Sequence, residues 1–244
     1  MKDNFSKQAD SYAKYRPHYP MELFEYIMQY VNQFDNAWDC ATGNGQTARE
    51  LSIFFRNVFA TDISQNQLDL ASRMPNIYYS IQRSDKTNFS SDLFDLVTIS
   101  QALHWFATGS FFKEVRRVTK NGALIAAWGY SLFHISPEVD EHIKHFYTNT
   151  VGPYWDEERR YVDEEYKTIP FPFDEIHTPS FPMKYQWTVE QLQGYINTWS
   201  ALQKFVADRQ FNPTSKFMEE IKSLLPEKFE VIFPLHIRMG RVQK

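Results

Sequence analysis

Short apolar runs alternate with segments of helical spacing through about the first 130 residues. In MELFEYIMQYVNQ (21–33), Leu23, Ile27, Tyr30 and Val31 recur at the period of one helix face. NAWDC (36–40) reads as a strand and QTARELSIFFRN as a helix with Ala48, Leu51 and Phe55 on one side. NVFATD is a second strand. SQNQLDLASRM is a second helix, with Ser64 placed to accept a free amide of its first turn. NIYYSI, DLVTIS and GALIAAW supply three more strands. FFKEVRRVTKN is the helix between the last two, with Asn121-Gly122 as its stop.

Strand–helix alternation predicts a parallel sheet covered by helices on both faces, and strands apolar almost throughout suit such burial. After Trp128 the pattern changes. Residues 130–187 are rich in aromatics, and the prolines of IPFPFDEIHTPSFP mark an extended or turning segment. TVEQLQGYINTWSALQKFV (188–206) returns to helical periodicity, and FEVIFPLHIRMGRV (229–242) reads as one terminal strand. The expected organisation is one α/β domain over 1–244: a core over about 1–130, a cap and later elements over about 131–210, and a final helix and terminal strand over about 211–244.

Composition narrows the partners. Of 244 residues, 17% are aromatic, which suits thick cores or ring-lined pockets. The net charge of -4 and the lack of a Lys/Arg block give no broad footprint for nucleic acid. A single cysteine, Cys40, rules out an internal disulfide, fits a reducing compartment and reads as a packed residue. A polar N-terminus and the lack of any 18-residue apolar run predict a cytoplasmic protein without a membrane span, monomeric or homodimeric. His142 and His145 lie three apart on a predicted helix, but with no third ligand in view no metal is expected.

Gly43-Asn44-Gly45-Gln46-Thr47-Ala48 satisfies G-x-G-x-x-G/A, and Asp62 lies 19 residues after the first glycine. Glycine lets the backbone approach a ligand with no β-carbon in the way, and an acid at the next strand end can grip ribose hydroxyls. The loop alone suits a nicotinamide dinucleotide and S-adenosylmethionine equally. Asp39, four residues before Gly43, tilts the balance: an acid aimed at the loop repels a pyrophosphate but attracts an ammonium group.

Three further stretches carry a resemblance. ADSYAKYRPHYP precedes the first helix, RSDKTNFSSDLFDLVTISQALHWF (83–106) spans the fourth strand, and FFKEVRRVTKNGALIAAW closes the fifth. In this order they resemble the class I S-adenosylmethionine-dependent methyltransferases, most closely the trans-aconitate methyltransferase-like subgroup, closely over residues 5–130 and more loosely through TWSALQKF (198–205). The resemblance implies a Rossmann-like, doubly wound, mostly parallel seven-stranded sheet with helices on both faces and a helical, aromatic cap.

It also implies a cofactor site. Asp39, Thr42, Gly43 and Gly45 match the loop that holds the methionine moiety. Asp62 matches the ribose acid, Ile63 packs on adenine, and Ser84 and Asp85 reach the adenine amino group. Ser100 and Gln101 match the strand end beneath the methionine part, and Arg16 the N-terminal flap that meets the cofactor carboxylate. Ala41 stands where the family usually has glycine, which ordinary backbone dihedrals would allow. Tyr12 and Tyr19 read as packing residues.

Methyl transfer from a sulfonium is an in-line displacement that needs alignment and a dry pocket. His104, four residues past the fourth strand, is the candidate base or hydrogen-bond partner for an acceptor. Trp105, Tyr130, Tyr154, Trp155, Arg159 and Trp199 are candidate substrate-pocket residues, and arginines beside aromatics suit an organic acid and its carboxyl O-methylation. Phe106 and Trp128 read as core. The rival readings are a nicotinamide-dependent oxidoreductase and a non-catalytic S-adenosylmethionine-binding protein.

Overall fold

The computed structural model describes residues 15–244, so Tyr12 lies outside the described residues. A seven-stranded sheet runs in the order β3-β2-β1-β4-β5-β9-β6. Its strands are β1 (Asn36–Cys40), β2 (Asn57–Asp62), β3 (Ile77–Ile81), β4 (Phe94–Ser100), β5 (Thr119–Tyr130), β6 (Asp174–Ile176) and β9 (Leu235–Arg241). The first five pair in parallel. Only β9 runs antiparallel to its neighbours, β5 and β6. The strand order reverses between β1 and β4, so their C-terminal ends diverge into a crevice of the kind where ligands bind in open α/β sheets.

The central strands are buried on both faces because their side chains serve two cores. On β1, Ala37 faces one cluster and Trp38 the other; on β5, Leu124, Ala126 and Trp128 alternate with Ile125 and Ala127. The first cluster includes α1 (Met21–Met28) and α2 (Gln46–Leu51). The second includes α4 (Gly109–Val118), whose first turn is capped by Thr108 Oγ1 accepting the Phe111 amide at 3.4 Å. The short α3 (Gln65–Asp69) lies between β2 and β3, and Ser64 caps it as expected by accepting the Gln67 amide.

Several sequence boundaries are corrected. α1 ends at Met28 in a turn, short of Tyr30 and Val31. The helix read from QTARELSIFFRN stops at Leu51, where the Ser52 hydroxyl donates to the Arg49 carbonyl, a local bond that competes with helix continuation. α4 ends at Val118 rather than at Asn121-Gly122: Thr119 already pairs with Phe94, and Gly122, at φ 76°, lies inside β5, where the β4 ladder shifts register.

The later half is helical to a degree its prolines concealed. It holds α5 (Pro137–His145), a π-helical turn (Phe146–Thr150), a 3-10 turn (Gly152–Tyr154) and α6 (Arg159–Asp163). The 188–206 periodicity covers two helices, α7 (Val189–Ile196) and α8 (Ser200–Arg209), broken at Asn197–Trp199. α9 (Thr214–Ile221) follows. FEVIFPLHIRMGRV is two strands, because Pro234 has no amide to continue a ladder. Its first half, β8 (Phe229–Phe233), pairs with β7 (Met183–Trp187) in a separate two-stranded sheet. No helix among the described residues is long and apolar enough to cross a membrane.

Candidate functional site

The glycine loop fills the gap between β1 and α2. Gly43 and Gly45 hold φ of 57° and 79°, a region that L-residues with a β-carbon avoid. At Gly45 a β-carbon would also stand 2.4 Å from the Tyr79 hydroxyl. Ala41 departs from expectation. Its φ is 58°, so the backbone there is left-handed, and this alanine carries strain of about 1–2 kcal/mol that glycine would avoid.

Two acids organise this loop. Asp39 is fully buried at the centre of the sheet, accepting from Thr42 Oγ1 at 2.5 Å and Thr98 Oγ1 at 2.9 Å. Burial pushes its carboxyl up to about 7, against the opposing pull of the two threonine hydroxyls. Asp62, half-buried at the end of β2, accepts the Gly43 amide and the Ser64 amide, each at 2.9 Å. One carboxylate therefore links the loop to the start of α3, while the half-buried Ile63 follows it.

The remaining expected cofactor residues fall along the same strand ends. Ser84 follows β3, is buried, and its hydroxyl has no hydrogen-bond partner among the described residues. Asp85 is engaged by Arg83 in a two-point ion pair at 2.8 and 2.9 Å, which holds its carboxyl below the usual range. Ser100 Oγ accepts from Thr47 Oγ1 at 3.1 Å. Gln101 takes a left-handed φ of 51° and spends its amide on the backbone of Tyr130. Arg16 donates to the Tyr130 hydroxyl at 3.0 Å and lies over the Tyr195 ring at 5.5 Å.

Arg16, Gln101 and His104 border a cleft roofed by the later helices, with about 630 Å³ of empty space including its mouth. Four of the expected pocket residues, Trp105, Trp155, Arg159 and Trp199, line it. Tyr130 is buried beneath it and reaches it through Arg16. Tyr154 points elsewhere: its hydroxyl donates to Asp208 and its ring packs on Phe205. Trp128 and Phe106 are core, as read.

Sequence reasoning missed Tyr147, Asp156 and Tyr195 in the lining. Tyr195 stands four residues before Trp199, a helical spacing that could have flagged it. Tyr147 sits in the π-helical turn, where no periodicity marks it.

Arg159 brings a charge into this cleft beside those of Arg16 and Asp156. Its guanidinium lies 4.9 Å from the Trp155 ring centroid and 5.6 Å from that of Tyr147, its Nε donates to the Tyr147 hydroxyl at 2.8 Å, and Asp163 lies 3.4 Å from the same nitrogen. Its two Nη atoms have no hydrogen-bond partner among the described residues, although the side chain keeps only 20% exposure. His104 is buried, with Nδ1 3.2 Å from the Tyr166 hydroxyl. Burial, and then the Arg159 charge, hold its imidazole down to about 3. His142 and His145 lie on α5 with no third ligand, and no cluster of three potential metal ligands occurs among the described residues.

Comparison with known proteins adds an independent line. The family model described as a methyltransferase domain matches residues 38–127, which run from within β1 to within β5. A Dictyostelium discoideum protein provisionally named a methyltransferase is 30% identical over 84% of this chain and 79% of its own length. A methyltransferase-like protein of Schizosaccharomyces pombe, itself uncharacterised, is 24% identical over 91% of this chain and 87% of its own. A solved structure from Anaeromyxobacter dehalogenans, provisionally assigned as a type II methyltransferase, superposes with a TM-score of 0.86 at 32% identity, covering 93% of this chain and 98% of that one.

Proposed function

The chain belongs to the class I S-adenosylmethionine-dependent methyltransferases, and from that premise we propose that it methylates a carboxylate oxygen of a small organic acid held in the cleft beside Arg159. The observation that carries this reading is the Arg159 guanidinium. It is clamped by aromatic faces and the Tyr147 hydroxyl, and its fork end is free to take a carboxylate in two-point geometry. The Y-x-x-Y-R-P-x-Y-P and H-W-F stretches shared with trans-aconitate methyltransferase-like proteins support the same substrate class.

The cofactor is S-adenosyl-L-methionine, and the product of each turnover is S-adenosyl-L-homocysteine. The residues at the strand ends fit it: Ser84 offers a buried hydroxyl without a partner, and the Asp62 carboxylate remains half-exposed at the end of β2. In this reading Asp39, Thr42, Gly43 and Gly45 shape the methionine side, Asp62 and Ile63 the ribose and adenine side, and Ser84 with Asp85 the adenine edge. Ser100, Gln101 and Arg16 close the end nearest the cleft. Residues 1–130 then act as the cofactor-binding core and the later helices as the acceptor cap.

S-adenosylmethionine supplies a methyl group on a positively charged sulfur. Transfer to a carboxylate forms a C–O bond as the S–C bond breaks, with the electron pair staying on sulfur, and no proton moves. That balance suits this cleft. His104 is held too acidic to take a proton at neutral pH, so a hydroxyl or amine acceptor would lack a base from it, whereas a carboxylate needs none. Arg159 and Arg16 bind and orient, and the rings of Trp155, Trp199 and Tyr195 exclude water.

The test is transfer of radiolabelled methyl from S-adenosylmethionine to a panel of di- and tricarboxylic acids, with phenols and amines alongside. Base-labile methyl ester product from the acids, reduced about 100-fold in kcat/KM by Arg159→Ala, is the expected result. Turnover of phenols or amines but not acids would overturn the carboxylate reading.

A further inference from the structure

Tyr166, which no motif of the sequence marks, sits in an unusual backbone setting. It is fully buried, and both it and Glu165 adopt left-handed backbone, with φ of 61° and 56°. Two consecutive non-glycine residues in that region cost about 1–2 kcal/mol each. The pair is nonetheless pinned: the Tyr166 amide donates to the Tyr161 carbonyl at 2.7 Å, and the Tyr166 carbonyl accepts Nη1 of Arg238 at 3.0 Å. The result swings the phenol from the end of α6 under the C-terminal edge of β5. There its hydroxyl would lie only 3.1 Å from a β-carbon at residue 129, which is a glycine. Gly129 also leaves room for Gln101 Oε1 and His236 Nε2, and with the strained backbone it lets this hydroxyl sit 3.2 Å from His104 Nδ1.

His104 itself borders the cleft beside Arg159 and Gln101, and His104 Nε2 has no hydrogen-bond partner among the described residues. A neutral imidazole has one donor nitrogen and one acceptor nitrogen, and the partner of one decides the role of the other. A phenol is the better donor and an imidazole nitrogen the better acceptor, so the contact runs from the Tyr166 O–H to Nδ1.

We propose that Tyr166 is a positioning residue that fixes His104 as its Nε2–H tautomer, which makes the imidazole a hydrogen-bond donor to an acceptor oxygen in the cleft instead of a base. The donor role deepens the carboxylate reading above and rests on it for the identity of the oxygen; the tautomer does not. Nε2–H and the Arg159 fork would then address one acid from two sides.

Nitrogen NMR of protein labelled with 15N-histidine tests the tautomer without any acceptor. The His104 signals are assigned by their loss in His104→Gln. The expected wild-type pattern is a pyridine-like Nδ1 and a pyrrole-like Nε2, giving way to mixed tautomers in Tyr166→Phe. A pyrrole-like Nδ1 in the wild type, or a pattern unchanged in Tyr166→Phe, overturns the proposal, and the wild-type spectrum alone decides it should that variant fail to fold. With a carboxylic acid substrate in hand, His104→Gln, which keeps a donor, should retain most of the activity that His104→Leu loses. Tyr166→Phe should raise KM for the acid about tenfold with S-adenosylhomocysteine affinity unchanged. Equal loss in His104→Gln and His104→Leu would also overturn it. Failure of every acid to be methylated, with the tautomer as expected, would remove the carboxylate reading and leave the His104–Tyr166 assignment standing.

Discussion

Gln101 is bound to Tyr130 twice: its Nε2 donates to the Tyr130 carbonyl at 3.2 Å, and its Oε1 accepts the Tyr130 amide at 3.2 Å. A side chain thus extends the β4–β5 ladder past the last residue of β4, and the intervening Gly129 leaves room for it. A β-carbon at residue 129 would stand 2.6 Å from Gln101 Oε1 and 2.9 Å from His236 Nε2. Gly129→Ala should cost about 1–3 kcal/mol by overpacking, several degrees of Tm at this length. An unchanged melting curve would mean that the strand end and its side chains shift freely.

Asp62 predicts a cofactor effect with a structural share. Its carboxylate accepts the Gly43 and Ser64 amides, so Asp62→Asn weakens the loop as well as any ribose grip. Titration calorimetry with S-adenosylhomocysteine should show affinity falling at least about tenfold, the scale of one or two charge-assisted hydrogen bonds. Unchanged affinity would remove Asp62 from the cofactor site.

Asp39 makes a prediction about pH. Its carboxyl is raised to about 7 by burial, whereas in the unfolded chain it titrates near the ordinary 3.8. Between those values the folded state holds more protons than the unfolded one, so this group's contribution to stability is full below about pH 4 and is lost as pH rises to about 7. His104 and His236 act in the opposite sense. Burial lowers them to about 3 and about 4, so the folded state binds fewer protons below pH 6.5, and acid destabilises it. Comparing wild type with Asp39→Asn by denaturant unfolding cancels the histidine share. The variant should gain on the wild type from pH 4 to pH 7, and a difference independent of pH would show Asp39 ionised throughout.

The strand-end half of the candidate site was legible in the sequence because its residues lie close together along the chain. Asp39, Gly43, Gly45 and Asp62 lie at the ends of two adjacent strands whose apolar runs and glycine turn are visible without any tertiary contact. The left-handed Ala41 was not visible, since alanine gives no sign of positive φ. The acceptor half was only partly legible. Trp155, Arg159 and Trp199 stood out as aromatics near an arginine, but Tyr154, beside Trp155 in sequence, faces Asp208 instead. Tyr147, which lines the cleft, and Tyr166, which contacts His104, come from a π-helical turn and a strained segment after α6. Their approach depends on packing between distant segments, which no local period records.

Tyr147 offers the sharpest test of the acceptor half. Its hydroxyl accepts Nε of Arg159 at 2.8 Å and donates to Asp163 at 2.8 Å, so it anchors the guanidinium of a residue that lines the cleft. Tyr147→Phe keeps the ring packed against Trp155 and, edge-on, Trp199 but removes that anchor. Arg159 retains its position over Trp155 and its contact with Asp163, so the loss should be partial. KM for a carboxylic acid substrate is expected to rise about three- to tenfold, the worth of one hydrogen bond, with kcat and S-adenosylhomocysteine affinity little changed. A fall in kcat at constant KM would assign Tyr147 to the transferring group rather than to acceptor binding. No change in either constant would mean that the aromatic faces alone orient Arg159.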